Sequence, residues 1–173
     1  MNTDLNEVSA PAVTRGSRVT PRRVYRSLAA AESVTWTLLI AGMLLKYVAH
    51  LGALPVLIAG SIHGVVFIAY ALMAAVVGVN QNWGAMRTVS AVLTAIVPYA
   101  TIPFDRALER RGLLDGGWRL RAGDGPRDHK WERRTLRWLL RRPVLLVAVI
   151  IVGILAIFSA LLLIGPPGGW GAQ

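Results

Sequence analysis

The sequence predicts an all-α integral membrane protein: a helix hairpin, a Pro-broken third hydrophobic segment and a fourth, C-terminal span, with three or four transmembrane helices in total. Hydrophobic residues make up 54% of its 173 residues and charged residues only 16%. That is more apolar surface than a water-soluble core of this length can bury. The charges are also segregated, because no acidic or basic residue follows Arg142.

The N-terminal tail, residues 1–26, is polar and basic and is expected to be disordered. A first apolar segment follows at 27–49 and a second at 54–78, each long enough to cross roughly 30 Å of hydrocarbon. The linker between them, 50–53, is short, which predicts an antiparallel helix hairpin.

The third apolar segment, 88–104, contains Pro98 and Pro103, each of which removes a helical hydrogen bond. The fourth, 144–164, is uninterrupted and ends at a Gly/Pro run. The predicted organisation after the tail is a membrane domain at 27–107, a basic loop at 108–142, a transmembrane helix at 143–165 and a Gly/Pro tail at 166–173.

The distribution of basic residues leaves two topologies open. Lys and Arg number five in the N-terminal tail and twelve between Asp105 and Arg142, and four full crossings would place these two groups on opposite sides. The positive-inside tendency favours the cytoplasm for both. A re-entrant third segment satisfies that tendency, whereas four crossings do not. We expect a plasma (inner) membrane protein with a cytoplasmic N-terminus.

An amphipathic helix is predicted at 131–142. On a helical projection its basic residues share one side, and Trp and Leu residues occupy the other. This pattern is typical of a helix on the membrane surface, with basic groups on anionic lipid headgroups. The predicted headgroup-binding residues are Arg133, Arg134, Arg137 and Arg141. Although the sequence pI is near 11.4, no nucleic-acid recognition motif accompanies these charges, so lipid is the expected partner.

Ionisable residues within spans are costly and therefore notable. Glu32 and Lys46 fall on one side of the first helix, with Thr35 and Gly42 on the same stripe. By depth along the second helix, His63 is a candidate partner of Lys46 through a hydroxyl group or a water molecule, and Tyr70 is a candidate donor to Glu32. The alternative is that these side chains reach the two interfaces or bond backbone carbonyls.

Gly60 and Gly64 form a small-xxx-small motif that allows close helix approach. They would pack on the first helix at Gly42 or form a homodimer seam. Only such a dimer could pair two copies of His63 for bis-histidine haem, so no cofactor is expected from a single chain. No metal site is expected either: the chain lacks cysteine, which removes thiolate zinc sites, cysteine nucleophiles and disulfides. No phosphate-binding loop or carboxylate pair within one span is present.

Several of these positions resemble a small family of bacterial integral membrane proteins catalogued as a domain of unknown function, over about residues 22–107. The residues that carry the resemblance are Leu28, Glu32, Met43, the run 45–47, Gly60, His63, Gly64, Phe67, Tyr70, Trp83, the run 97–101, Asp105 and Arg106. Ser33 and Ala100 depart from the pattern, and the chain beyond about Leu108 is an extension. The resemblance implies a bacterial inner membrane and three hydrophobic segments, but no reaction.

Two functions remain open. The first is a non-enzymatic accessory or scaffold component of a homo-oligomer or larger membrane complex. The second is a small oligomeric transporter or proton-coupled permease using Glu32, Lys46 and His63.

Overall fold

The computed structural model describes residues 19–122 and 130–165. Its helices are α1 (Pro21–Tyr47), α2 (Leu54–Asn80), α3 (Ala85–Thr94), α4 (Thr101–Arg110), α5 (Trp131–Leu140) and α6 (Pro143–Ile164). Within the described residues there are no strands. Helices α1, α2 and α6 are long and apolar enough to cross a membrane, with mean hydropathies of 1.7, 2.2 and 3.2. The predicted all-α membrane fold is confirmed.

Helix α1 begins earlier than the sequence suggests. Thr20 caps it by accepting a hydrogen bond from the backbone N–H of Arg23 at 3.2 Å, and Pro21 occupies the first turn. Residues 21–26, assigned to the disordered tail, are therefore the first turns of a helix, because a Thr-Pro start signal precedes the Arg-rich stretch. The rest of that predicted tail and the Gly/Pro tail at 166–173 lie outside the described residues.

Helices α1 and α2 form the predicted antiparallel hairpin. The chain reverses through His50 and Gly52, whose φ angles are +53° and +80°. The helices approach closely at Gly42, where an added Cβ would lie 3.0 Å from the Pro55 carbonyl oxygen and 3.2 Å from the Ala59 Cβ. Gly42 thus packs on the first two turns of α2, so a small residue is required there.

Helix α3 follows α2 back into the bundle. Its residue Ala91 accepts a hydrogen bond from the Tyr70 hydroxyl at 3.1 Å. One turn later, the Trp36 indole N–H donates to the carbonyl of Ala95 at 3.1 Å. The helix therefore ends level with the middle of α1. Residues 95–100 then break the helix, as Pro98 predicts, and Tyr99 has a φ of +63°.

Helix α4 returns antiparallel to α1. Its first residue, Thr101, contacts Glu32, and Glu109 near its end pairs with Arg22. The third apolar segment is therefore a helical hairpin that enters and leaves at the end of the bundle where α1 begins. The geometry matches the re-entrant alternative and not a fourth crossing.

Helix α6 lies antiparallel to α2. An added Cβ on Gly64 would lie 3.2 Å from the Phe158 ring, and one on Gly153 would lie 3.4 Å from the Leu72 side chain. Gly64 therefore faces α6 instead of Gly42 of the first helix, because the C-terminal extension supplies a partner for that face. Gly60 is half-buried. No residue of α6 is buried.

A hydrophobic core lies at the end of the bundle where α1 begins. Its buried side chains come from α1 to α4 and the segments beside them: Tyr25, Ala29, Tyr70, Ala74, Val77, Trp83, Ala91, Ala95, Leu108 and Leu114. Trp83 lies at the edge of this core. Its ring packs edge-on against Tyr25 with centroids 5.7 Å apart, and its indole N–H donates to the Leu113 carbonyl at 2.9 Å. The re-entrant hairpin is thereby packed into the α1–α2 pair.

Candidate functional site

A fully buried carboxyl group lies in the middle of α1. Glu32 has no exposed surface. Its Oε2 accepts a hydrogen bond from the Thr101 hydroxyl at 2.8 Å, while its Oε1 is buried without a hydrogen-bond partner. A buried carboxyl with one unsatisfied oxygen is costly and needs an explanation.

Two hydroxyl groups extend this site. The Ser33 hydroxyl lies 3.2 Å from the Thr101 hydroxyl and also donates to the Ala29 carbonyl at 3.1 Å. The break at 95–100 places Thr101 at the first position of α4, where its side chain can point at α1. Glu32, Ser33 and Thr101 thus form one buried group, which we call the Glu32 cluster.

His63 lies deeper in the hairpin and is buried. Its Nδ1 is 3.0 Å from the Thr35 hydroxyl, and its ring packs against Trp36 with centroids 4.5 Å apart. The predicted partner was Lys46, but Lys46 lies eleven residues beyond Thr35, about 16 Å along α1. The Lys46 ammonium lies over the ring of the adjacent Tyr47 at 4.8 Å. Depth along the two helices therefore does not identify the partner of His63, which lies opposite Thr35.

Tyr70 also has a different partner from the one predicted. Its hydroxyl lies 2.8 Å from that of Tyr25 and donates to the Ala91 carbonyl. Both tyrosines are fully buried. The Tyr25–Tyr70 pair therefore joins α1, α2 and α3, and the carboxyl of Glu32 bonds Thr101 instead.

An ionic network closes the end of the bundle where α1 begins. The Arg26 guanidinium lies 3.3 Å from Asp105 and 3.1 Å from Glu109, which also pairs with Arg22. Asp105 is buried, and its Oδ1 lacks a hydrogen-bond partner. Burial raises the pKa of Asp105 above the usual aspartate value, and the nearby positive charge of Arg26 opposes this rise.

The predicted headgroup-binding residues lie at the same end, three of them on α5 and Arg141 directly after it. Arg133 and Arg137 line a small cleft beside the end of α2, and Arg134 is exposed. The Arg141 guanidinium donates to the Leu120 carbonyl at 3.0 Å. The apolar side of α5 is divided: Leu136 is buried, whereas Trp131 is 78% exposed.

The sequence predicts Glu32 and His63 as site residues. Four further residues join the site only in the structure: Ser33, Thr101, Tyr25 and Asp105. The available signal was the helix break, since a polar residue that follows a Pro-containing break can start a new helix and meet a neighbour. In the described ranges, no group of three or more His, Asp or Glu residues could hold a metal ion.

The sequence of this chain is similar to that of known proteins. A "Putative membrane protein SCO5905" of Streptomyces coelicolor is 37% identical over 108 residues, covering 61% of this chain but 13% of the relative's length. No solved structure matches. The sequence pattern named Domain of unknown function (DUF3817) matches residues 22–110, which contain the hairpin, α3 and all of α4. The chain belongs to the DUF3817 family of membrane proteins.

Proposed function

We propose that this protein is a non-enzymatic accessory module of a larger membrane assembly, with its basic end on the cytoplasmic face of a bacterial plasma membrane. The observation that carries the proposal is the return of the α3–α4 hairpin to the end where α1 begins. Because of that return, fifteen of the sixteen described Lys and Arg residues belong to segments at this end, and Lys46 is the exception. The positive-inside tendency then orients the whole bundle.

The length of the relative supports a role within an assembly. The Streptomyces coelicolor protein carries the matching segment within 13% of its length. A segment that occurs inside a much longer membrane protein suits a module that works beside other domains. In this chain, α6 adds a span with no buried residue, so much of its surface is available to lipid or to other helices.

We infer that the basic end contacts anionic headgroups, each Arg near such a surface adding about 1 kcal/mol of attraction. The test replaces Arg133, Arg134, Arg137 and Arg141 with Gln and measures the phosphatidylglycerol and phosphatidylcholine that remain bound after detergent purification. We expect a several-fold loss of phosphatidylglycerol without a change in phosphatidylcholine. Lys46→Gln, at the opposite end, is the matched control and should retain both lipids. Equal retention by the fourfold variant and the control would contradict headgroup binding.

A small oligomeric permease is the second candidate, favoured by the buried Glu32 and His63. Its test is proton flux in proteoliposomes under an imposed potential. A flux that Glu32→Gln or His63→Leu abolishes, with expression and oligomer size unchanged, would replace the accessory proposal. The absence of flux in the wild type would remove the permease.

A further inference from the structure

The Glu32 carboxyl is isolated from positive charge along its own helix. Arg26 lies six residues away, about 9 Å along α1, and its guanidinium pairs with Asp105 and Glu109. Lys46 lies fourteen residues away, about 21 Å in the other direction. An ionised carboxylate at this position within a span would carry a large solvation penalty.

The hydrogen-bond contacts around Glu32 can be compared with the number of hydrogen atoms available to make them. There are three contacts in a row: Glu32 to Thr101, Thr101 to Ser33, and Ser33 to the Ala29 carbonyl. Each hydroxyl brings a single hydrogen, and an ionised carboxylate brings none. With Glu32 ionised, two hydrogens serve three contacts, and the 3.2 Å contact between Thr101 and Ser33 has no hydrogen when the other two contacts are satisfied.

One additional proton completes the row. If the Glu32 carboxyl is protonated, it donates to the Thr101 hydroxyl, which donates to Ser33, which donates to the Ala29 carbonyl. Each contact then carries one hydrogen, all in the same direction. The remaining Oε1 is then the carbonyl oxygen of a neutral acid. Burying this oxygen without a partner costs far less than burying an oxygen of an ionised carboxylate.

We propose that Glu32 is a proton-binding site in the membrane interior, held by the hydroxyl row of Thr101 and Ser33 and occupied at neutral pH. The proton comes from hydronium at the basic end, leaving water behind. Asp105 is four residues after Thr101 on the same side of α4, and its unpartnered Oδ1 makes it the group that exchanges this proton with the surface.

The other titratable groups on the neighbouring helices either bond other residues or lie at the end of the bundle. From α2, Tyr70 bonds Tyr25 of α1, and His63 bonds Thr35. Helix α3 contributes Arg87 near its start, at the end of the bundle. The proton site is therefore confined to Glu32 and its exchange partner on α4. It is independent of the accessory role, so a negative lipid-retention result leaves it standing.

The test is infrared spectroscopy of the purified full-length protein in lipid at pH 7.5. We expect the carbonyl stretching band of a buried neutral carboxylic acid in the wild type. The band should disappear in Glu32→Gln and remain in Glu132→Gln, the matched control on α5. Thr101→Val removes the acceptor of the acid proton and should move the band to higher frequency, while Thr101→Ser should restore it. A wild type without the band, or a band that survives Glu32→Gln, would overturn the proposal. In the first case Glu32 of α1 would be ionised beside the start of α4.

A second measurement on the wild type covers the case in which Glu32→Gln fails to fold. Dicyclohexylcarbodiimide is an apolar reagent that adds to protonated carboxyl groups. Peptide mapping after labelling in lipid should place the adduct on Glu32, at a rate that falls as the pH is raised. Adducts confined to other carboxyl groups, with Glu32 unmodified at every pH, would contradict the proposal.

Discussion

Helices α1 and α6 are both predicted spans, but they are integrated into the molecule in opposite ways. Helix α6 has the higher mean hydropathy, 3.2, and buries no residue, whereas α1 has a mean hydropathy of 1.7 and buries Glu32, Ser33 and Thr35. In a membrane the lipid already solvates apolar side chains, so hydrogen bonds and close packing hold helices together. High hydropathy therefore identifies a span, and polar or small residues identify its contacts.

The largest expected difference between these regions comes from truncating one leucine in each. Leu108 of α4 is 3% exposed and Leu155 of α6 is 59% exposed. Leu108→Ala should destabilise the protein by about 2–5 kcal/mol because it leaves a cavity. Leu155→Ala exchanges one lipid contact for another and should change stability by less than about 0.5 kcal/mol. Unfolding in mixed micelles measures both, and equal losses would contradict the difference in packing.

Glycine substitution gives the next largest contrast. At Gly42 the new side chain meets the α2 backbone at Pro55, and at Gly153 it meets only the flexible end of Leu72. Gly42→Leu should cost about 1–3 kcal/mol by forcing the hairpin apart. Gly153→Leu should be nearly neutral, since Leu72 can move and leucine favours a helix. A costly Gly153→Leu would show that α6 packs as tightly as α1.

The tyrosine pair tests the hydrogen bonds of the α1–α4 region. Tyr70→Phe leaves the buried Tyr25 hydroxyl without its partner and should cost about 1–3 kcal/mol. Tyr47→Phe, at an exposed position near the loop, should cost less than about 0.5 kcal/mol. If the two variants unfold at the same denaturant concentration, the buried pair contributes no net stability.

The smallest effect is a pH dependence at Asp105. Because burial raises its pKa in the folded protein, the folded state binds a proton more tightly than the unfolded state. Its ionised form therefore costs stability at neutral pH, and this cost is lost progressively as the pH falls from the raised pKa to the usual aspartate value. Asp105→Asn should unfold at a slightly higher temperature than wild type at pH 7.5, with the gap closing toward pH 4. A variant that is less stable at pH 7.5 would show that the pair with Arg26 outweighs burial.

Apolar length and helix-breaking residues predicted the α1–α2 hairpin, the broken third segment and α6. Pro98 predicts where the third segment breaks but not which way the chain leaves the break, because that direction depends on contacts between residues far apart in the sequence, such as Arg22 and Glu109, which are 87 residues apart. The partners of His63 and Glu32 were missed for the same reason. Depth along a helix limits which residues can be partners of His63 and Glu32. The rotation of the helices about their axes then selects Thr35 as the partner of His63, and the return of α4 selects Thr101 as the partner of Glu32.

The orientation of the whole bundle follows from the return of the α3–α4 hairpin to the end where α1 begins. The chain has no native cysteine, so single cysteines at Ala53, Gly84 and Gly117 can be labelled in oriented membranes with an impermeant maleimide. An added Cβ at Gly84 or Gly117 meets nothing within 4 Å. Gly84→Cys and Gly117→Cys should label from the same side and Ala53→Cys from the other. Labelling of the Gly84 and Gly117 variants from opposite sides would show that the third segment crosses and would contradict the account.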